Sequence, residues 1–224
     1  MSALNPSMLV AIFGYGPSKC GSDTWDYKRG GDVERIRMLL RIHEAHECPI
    51  VIFSPEDAPI LELGPHICRQ VGKRGYIGQV SLDRQRDSLR IMLEYPFNWF
   101  LLNDSDSCCI TPTIPHQFYH PGVFWSNEIT EPRPHPSPYP KIALHPPYFA
   151  HRSVLSQMLS VADRFVAHPI TPFIDHYMLQ LVCESGVAHK SFLDYTTDRR
   201  VMLHPVKVQS DIIACQCIGN PKTT

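Results

Sequence analysis

The sequence has no excess of charge of either sign. Its 21 lysines and arginines are matched by 22 aspartates and glutamates, which gives a formal net charge of −1 at pH 7. That balance excludes a protein whose overall field attracts nucleic acid or an anionic membrane surface, and leaves room only for a local basic patch. No stretch approaches the roughly 18 consecutive apolar residues of a membrane-spanning helix. The first six residues lack the basic and apolar regions of a signal peptide, so we expect a cytoplasmic protein.

The Cys-x-x-Cys motif is also missing. The chain has eight cysteines, but none of them form a Cys-x-x-Cys pair. This absence argues against a zinc ribbon or a redox motif, and in a reducing compartment most of these side chains should be buried thiols. Histidine is frequent, with 12 residues, yet His43 and His46 are the one pair at convincing ligand spacing and no second cluster follows them. We interpret both as helix-surface residues.

The chain does contain short apolar runs that alternate with helical patterns. Residues 8–13 form a continuous apolar run that leads into a glycine-containing loop, which is typical of a buried parallel strand. A helix is predicted from an N-cap at Asp32 to about His43, and residues 49–53 form a second buried strand. This strand–helix–strand unit should have a right-handed crossover. It predicts the opening of an α/β sandwich.

The rest of the chain continues this alternation. A helix capped by Ser81 and running to about Tyr95 leads into an apolar strand at 98–102. Residues 132–147 contain seven of the 21 prolines, and we expect them to form an extended surface loop. The later predicted elements are a short strand at 141–144, helices at about 151–162 and 172–185, the second ended by Gly186, and a strand at 201–205. The predicted fold class is therefore α/β, with a central, mostly parallel sheet flanked by helices.

A pair of carboxylates follows the strand at 98–102. Asp104 and Asp106 are one residue apart, at the place where open α/β sheets bind ligands. Two such carboxylates can hold a hard divalent cation, which in turn can bridge the oxygens of a diphosphate. Aspartate pairs are also common in turns, so the tripeptide alone leaves a structural role open.

Together with two later motifs, this pair resembles the GT-A glycosyltransferases, which transfer a sugar from a nucleotide diphosphate. In that family an apolar strand leads into an Asp-x-Asp motif, matched here by residues 100–106. An acidic residue near the start of a later helix is matched by Asp175, and a histidine near the C-terminus by His204. The resemblance implies a single Rossmann-type GT-A-like domain over 1–224. Its expected parts are nucleotide-sugar binding over about 1–106, acceptor binding over about 107–207 and a tail at 208–224.

The resemblance also implies roles for these residues. Asp106 would bind Mn²⁺ or Mg²⁺ directly, and Asp104 would bind the metal through water or hold the donor ribose. His204 would supply a nitrogen ligand, which favours Mn²⁺. Asp175 would accept the proton of the acceptor hydroxyl in an inverting displacement. Where many members have Glu-Asp, this chain has Ile174 before the aspartate, so the base assignment rests on one carboxylate.

Two further residues are expected at the nucleotide. The loop at 14–19 lacks the glycine spacing of a dinucleotide fingerprint or a P-loop. Within it, Tyr15 can stack on a base, and Asp57, after the second strand, can bond to the base edge or the ribose. A role in a turn fits both residues equally well.

One local basic patch lies at 69–90. Its six cations outnumber two aspartates for a local balance of +4: Arg69, Lys73, Arg74, Arg84, Arg86 and Arg90 against Asp83 and Asp87. Arginine matches phosphate geometry, so Arg84 is predicted to contact the donor diphosphate. The patch could also follow a nucleic-acid backbone, or be no more than a solvated helix face.

Four residues are candidates for the pocket around the sugar. Tyr148 and Arg152 lie between the Asp-x-Asp strand and the helix of Asp175, in a neighbourhood that shapes the donor and acceptor pocket in similar enzymes. Trp125 and Asn127 are weaker candidates for the acceptor side, and burial in the core explains the tryptophan as well.

These patterns predict a metal-dependent glycosyltransferase with a nucleotide diphosphate sugar as donor. The expected acceptor is a soluble hydroxyl compound, and a modified base in phage-type DNA is one candidate. The first alternative is a sugar-phosphate nucleotidyltransferase, which shares the architecture and the metal chemistry. The second is a noncatalytic nucleotide- or carbohydrate-binding protein in which the Asp104–Asp106 pair only caps a turn.

Overall fold

The computed structural model describes residues 8–13, 40, 49–56, 66–73, 78–104, 114, 116–130, 142–165 and 174–192. In chain order the elements are β1 (Met8–Phe13), β2 (Ile50–Ser54), β3 (Ile67–Gln70), α1 (Gly78–Met92), β4 (Trp99–Asp104), β5 (Val123–Thr130), β6 (Ile142–His151), α2 (Arg152–Leu159), α3 (Ile174–Ser185) and β7 (Ala188–Ser191). Two 3₁₀ turns lie at His116–Phe118 and Ala162–Arg164.

The seven strands form one sheet in the order β3-β2-β1-β4-β6-β5-β7. Neighbours from β3 to β4 are parallel, and so are β5 and β7. Only β6 runs against its two neighbours. The predicted α/β sandwich with a mostly parallel central sheet is confirmed. No described helix is long and apolar enough to cross a membrane.

Both faces of the sheet are buried, which explains why β1, β2 and β4 are continuous apolar runs. Alternate residues of β1 enter two separate cores, because successive side chains of a strand point to opposite faces. Leu9, Ala11 and Phe13 pack in the core that includes residues of α1, α2 and α3. Met8, Val10 and Ile12 pack in the other core, with an aromatic group. That group contains Trp99, Phe118, Trp125, Phe149 and Phe192.

The main correction to the sequence prediction concerns the proline-rich segment. The short strand predicted at 141–144 corresponds to the start of β6 at Ile142, but residues 145–147 also belong to β6 instead of a surface loop, although Pro146 and Pro147 lie inside the strand. The pairing of β5 with β6 shifts between Trp125 and Asn127, so two extra β6 residues fit into the ladder at this point. Proline is tolerated there because a bulge leaves residues without ladder hydrogen bonds.

Other boundaries also differ from the prediction. Helix α1 begins at Gly78, so Ser81 is a buried helical residue and does not cap the helix. Helix α2 begins after His151, whose side chain caps it by accepting from the Ser153 amide. The short strands β3 and β7 were not predicted, because each has only four residues and includes polar ones. The predicted strand at 201–205 lies outside the described residues. Of the helix predicted at 32–43, only Leu40 is described, and it is helical and buried.

Candidate active site

The carboxyl ends of the central parallel strands meet at one edge of the sheet. The register pairs Phe13 with Phe53 on β2 and with Asp104 on β4. Asp104 is the last residue of its strand and is partly exposed, whereas the five residues before it are buried. Open α/β sheets bind their ligands at this edge, so we call it the carboxyl edge.

A second carboxylate lies in the first turn of α3. The side chain of Asp175 is 21% exposed, and its Oδ2 is 3.2 Å from Nδ1 of the buried His145 on β6. The hydroxyl of Tyr148, also on β6, lies 3.5 Å from Oδ1 and donates its single proton to the Leu144 carbonyl at 2.7 Å. The helix N-terminus favours the negative charge of the carboxylate.

Strand pairing brings the two carboxylates into the same region. Leu102 on β4 pairs with Tyr148 on β6, and Asp104 lies two residues beyond Leu102 towards the carboxyl edge. Tyr148 also contacts Asp175, so Asp104 lies at the end of β4 and Asp175 lies against the neighbouring strand β6. The pairing of β4 with β6 thus places Asp104 and Asp175 towards the same edge of the sheet.

Polar side chains continue from this site onto β5 and β7. Asn127 pairs with His145 in the sheet, and its amide donates to the Pro146 carbonyl at 3.4 Å. Next to it, the buried Ser126 hydroxyl lies 2.8 Å from Nε2 of His189 on β7. The other ring nitrogen of His189 is 3.8 Å from the Glu128 carboxylate. These contacts place polar side chains on β5 and β7, beside the strand of His145.

The structure does not support Arg152 as a nucleotide-sugar contact. Its guanidinium donates to the carbonyls of Phe97 at 2.8 Å, Leu93 at 2.6 Å and Tyr95, in the segment that follows α1. It also lies 5.6 Å from the ring centroid of Phe100. The preceding residue on β6 pairs with Trp99 at the start of β4, so Arg152 is at the opposite edge of the sheet from Asp104. Five residues along a strand separate the two edges by roughly 16 Å.

Arg84 is buried in α1 and packs against the turn after β3. A Cβ added at Gly72, whose φ is +62°, would lie 3.4 Å from the Cβ of Arg84. That turn is tied to β2 by a hydrogen bond from the Val71 amide to the Ser54 carbonyl. Strand β3 is three strands from β4, about 14 Å across the sheet, so the turn that Arg84 packs against lies away from the end of β4.

The described part of the basic patch is largely paired. Arg86 contacts Asp83 and Asp87 at 3.1 and 3.2 Å, and Arg90 contacts Asp163 at 2.6 Å. Burial opposes the charge of Arg86, but these carboxylates outweigh that effect and raise its pKa. Asp83 and Asp87 are already counted in the local balance of +4, so Asp163 is the additional carboxylate that reduces the net positive charge of this helix face.

Several predicted site residues cannot be placed. Tyr15, Asp57, Asp106 and His204 lie outside the described residues. Of the three expected metal ligands, only Asp104 is described. Within the described ranges, no three His, Cys, Asp or Glu side chains come together as a metal site.

Comparison with solved structures identifies the fold. A 4-diphosphocytidyl-2C-methyl-D-erythritol synthase matches 96% of this chain and 100% of its own, with a TM-score of 0.57 at 14% identity. The 2-C-methyl-D-erythritol 4-phosphate cytidylyltransferase of Thermus thermophilus matches the same shares with a TM-score of 0.53 at 13% identity. A putative nucleotide-diphospho-sugar transferase of Desulfovibrio desulfuricans matches 83% of this chain and 79% of its own, with a TM-score of 0.50 at 11% identity. The chain has the nucleotide-diphospho-sugar transferase fold. No protein-family model matches it, and no curated protein matches it in sequence.

Sequence reasoning missed the polar contact of His145 with Asp175 and the polar contacts between β5 and β7. It included Tyr148 and Asn127, but gave no role to His145, Ser126, Glu128 or His189. For His145 a signal existed, since it precedes Pro146 and Pro147 and therefore lies where the ladder is irregular. The Ser126–His189 contact joins residues 63 positions apart and left no local signal.

Proposed function

We propose that the protein is a glycosyltransferase that moves a sugar from a nucleoside diphosphate sugar to a hydroxyl acceptor. The observation that carries the proposal is the position of Asp104 and Asp175 on neighbouring elements of the carboxyl edge, in a nucleotide-diphospho-sugar transferase fold. One carboxylate belongs to a strand end where phosphates bind, and the other can act on an acceptor.

Asp175 is suited to be the general base. Its carboxylate is partly exposed, so a substrate hydroxyl can reach it, and its two oxygens lie 3.2 Å from His145 and 3.5 Å from Tyr148. A carboxylate has about four lone-pair sites, so one remains for the acceptor hydroxyl while these contacts persist. The base would remove the acceptor proton as the new glycosidic bond forms, in an inverting displacement.

Asp104 is suited to the donor side. Together with Asp106 and His204 it would hold Mn²⁺ or Mg²⁺, and its partly exposed carboxylate is the hard oxygen donor that such ions prefer. A bound cation there would neutralise charge on the departing nucleoside diphosphate. In this proposal Tyr15 and Asp57 contact the base and the ribose.

The acceptor is proposed to be a soluble hydroxyl compound. DNA is the less favoured acceptor, since Arg86 and Arg90 already have carboxylate partners. A gel-shift titration at low salt tests it, because binding to phosphates must weaken steeply as salt rises. Salt-sensitive binding would restore a DNA acceptor, and the absence of binding at low salt would remove it.

A sugar-phosphate nucleotidyltransferase is the second candidate. Both cytidylyltransferase structures match 96% of this chain and the whole of their own chains, a larger share than the sugar transferase matches. The two reactions release different products. A glycosyltransferase releases a nucleoside diphosphate, whereas a nucleotidyltransferase that acts on a nucleoside triphosphate and a sugar phosphate releases pyrophosphate.

The test is a product assay on the whole chain with two substrate panels. One panel pairs nucleoside diphosphate sugars with hydroxyl acceptors, and the other pairs nucleoside triphosphates with sugar phosphates, each with Mn²⁺ and with EDTA. We expect metal-dependent release of nucleoside diphosphate, at least 100-fold slower in Asp175→Asn and in Asp104→Ala. Asp163→Asn is the matched control, because that carboxylate is exposed and pairs with α1. Pyrophosphate release would establish the alternative, and binding of a nucleotide without either product would favour the noncatalytic protein.

A further inference from the structure

We propose that His145 is a positioning residue that fixes the carboxylate of Asp175 for proton transfer. This inference rests on the proposed function, because it gives a role to a side chain next to the proposed base. The sequence resemblance assigned His145 no role, and the contact appears only in the folded chain.

The geometry around the carboxylate supports this role. His145 is only 4% exposed, and its Nδ1 lies 3.2 Å from Oδ2 of Asp175. The second carboxylate oxygen is 3.5 Å from the hydroxyl of Tyr148, which is itself anchored by a 2.7 Å hydrogen bond to the Leu144 carbonyl. Each oxygen of Asp175 therefore faces a different side chain of β6.

The backbone of His145 is paired within the sheet. His145 pairs with Asn127 on β5, immediately before the two extra residues of β6. The Asn127 amide donates to the Pro146 carbonyl, which ties the irregular segment to the neighbouring strand. The side chain of His145 is 6% exposed and that of Asp175 is 21% exposed, so the ring is packed more closely than the carboxylate. The restraint therefore acts from His145 on Asp175.

Restraint of the base has a direct effect on rate. An aspartate can rotate about two side-chain bonds, and only some of its orientations point a lone pair at the acceptor hydroxyl. Displacement of a reacting group by about 1 Å can cost on the order of 100-fold in rate. Functional groups are held in productive geometry by neighbours whose own positions are locked by packing. Loss of the imidazole should lower kcat and leave donor binding nearly unchanged.

The first experiment tests the contact without any activity. Imidazole ¹⁵N signals are recorded on the histidine-labelled full chain, and the His145 signals are assigned by their loss in His145→Asn. We expect the Nδ1 signal to move in Asp175→Asn and to stay in place in Asp163→Asn. An unchanged His145 signal in Asp175→Asn would overturn the proposal.

The second experiment separates positioning from folding. His145→Leu removes the ring nitrogens, whereas His145→Asn keeps an amide donor near the position of Nδ1. We expect kcat to fall about 10- to 100-fold in the leucine variant with donor KM within twofold, and to recover in the asparagine variant to within about threefold of wild type. Equal losses in both variants would show a purely structural role, and an unchanged kcat in the leucine variant would show no role. Either result would overturn the proposal.

The two experiments also distinguish this proposal from the proposed function. If no donor is turned over by the wild-type chain, the proposed glycosyltransferase fails, and the NMR comparison alone decides whether His145 holds Asp175. If turnover is found but the His145 signal is unchanged in Asp175→Asn, the proposed function stands and the positioning role fails.

Discussion

Replacement of Arg152 by methionine should destabilise the fold without weakening nucleotide binding. The three carbonyls that its guanidinium reaches lie in the segment after α1, and the side chain is partly buried. A net hydrogen bond contributes about 1 kcal/mol, and bonds to a charged group contribute more. Water can reach part of this site in the variant, so we take about 1 kcal/mol for each carbonyl. The expected loss is about 3 kcal/mol in the free energy of unfolding.

Urea denaturation at 25 °C measures this loss directly, and thermal unfolding should show a Tm lower by about 6–12 °C for a chain of this size. Arg164→Met is the matched control, because that arginine is exposed, and it should change stability by less than about 0.5 kcal/mol. Affinity for any nucleotide that binds the wild type should be unchanged. A loss below about 1 kcal/mol, or weaker nucleotide binding in a stable Arg152→Met variant, would refute the structural role of Arg152.

Three further predictions concern stability. Gly186→Ala should lower the free energy of unfolding, measured in urea, by about 1 kcal/mol, because φ at Gly186 is +70°. The new Cβ would meet no atom within 4 Å, so the cost comes from the backbone conformation alone. Gly122→Ala should cost less than about 0.5 kcal/mol, and equal costs would contradict the backbone explanation. Burial raises the pKa of Tyr177 to about 12, above its ordinary value near 10. Folding thus favours the neutral phenol, so the contribution of Tyr177 to the free energy of unfolding is fully present below about pH 10. That contribution should fall by roughly 2 kcal/mol between about pH 10 and 12. Unfolding measurements on Tyr177→Phe should not show this loss. Arg90→Ala should cost no more than about 1 kcal/mol, and less at high salt, because Arg90 and Asp163 are exposed; a large, salt-independent loss would show that the pair is more than a surface contact.

The candidate site was predicted in part. The apolar run before Asp104 and the helix signals around Asp175 were visible, because strand and helix patterns are local properties of sequence. The assignment of Arg152 depended on its position between two motifs in the sequence, which says nothing about which edge of the sheet it occupies. The antiparallel direction of β6 decides that, and it places the two ends of the strand at opposite edges.

Sequence by itself determined the α/β class, the buried strands β1, β2 and β4, and the end of α3 at Gly186. These follow from periodicity, continuous apolar runs and backbone preferences, all of which act over a few residues. Only the tertiary structure decided the order of the seven described strands and the strand character of 145–147. It also decided the contact of His145 with Asp175 and the hydrogen bonds from Arg152 to three carbonyls. Those features depend on strand register and on pairs of residues tens of positions apart, and no local pattern records which distant partner a side chain meets.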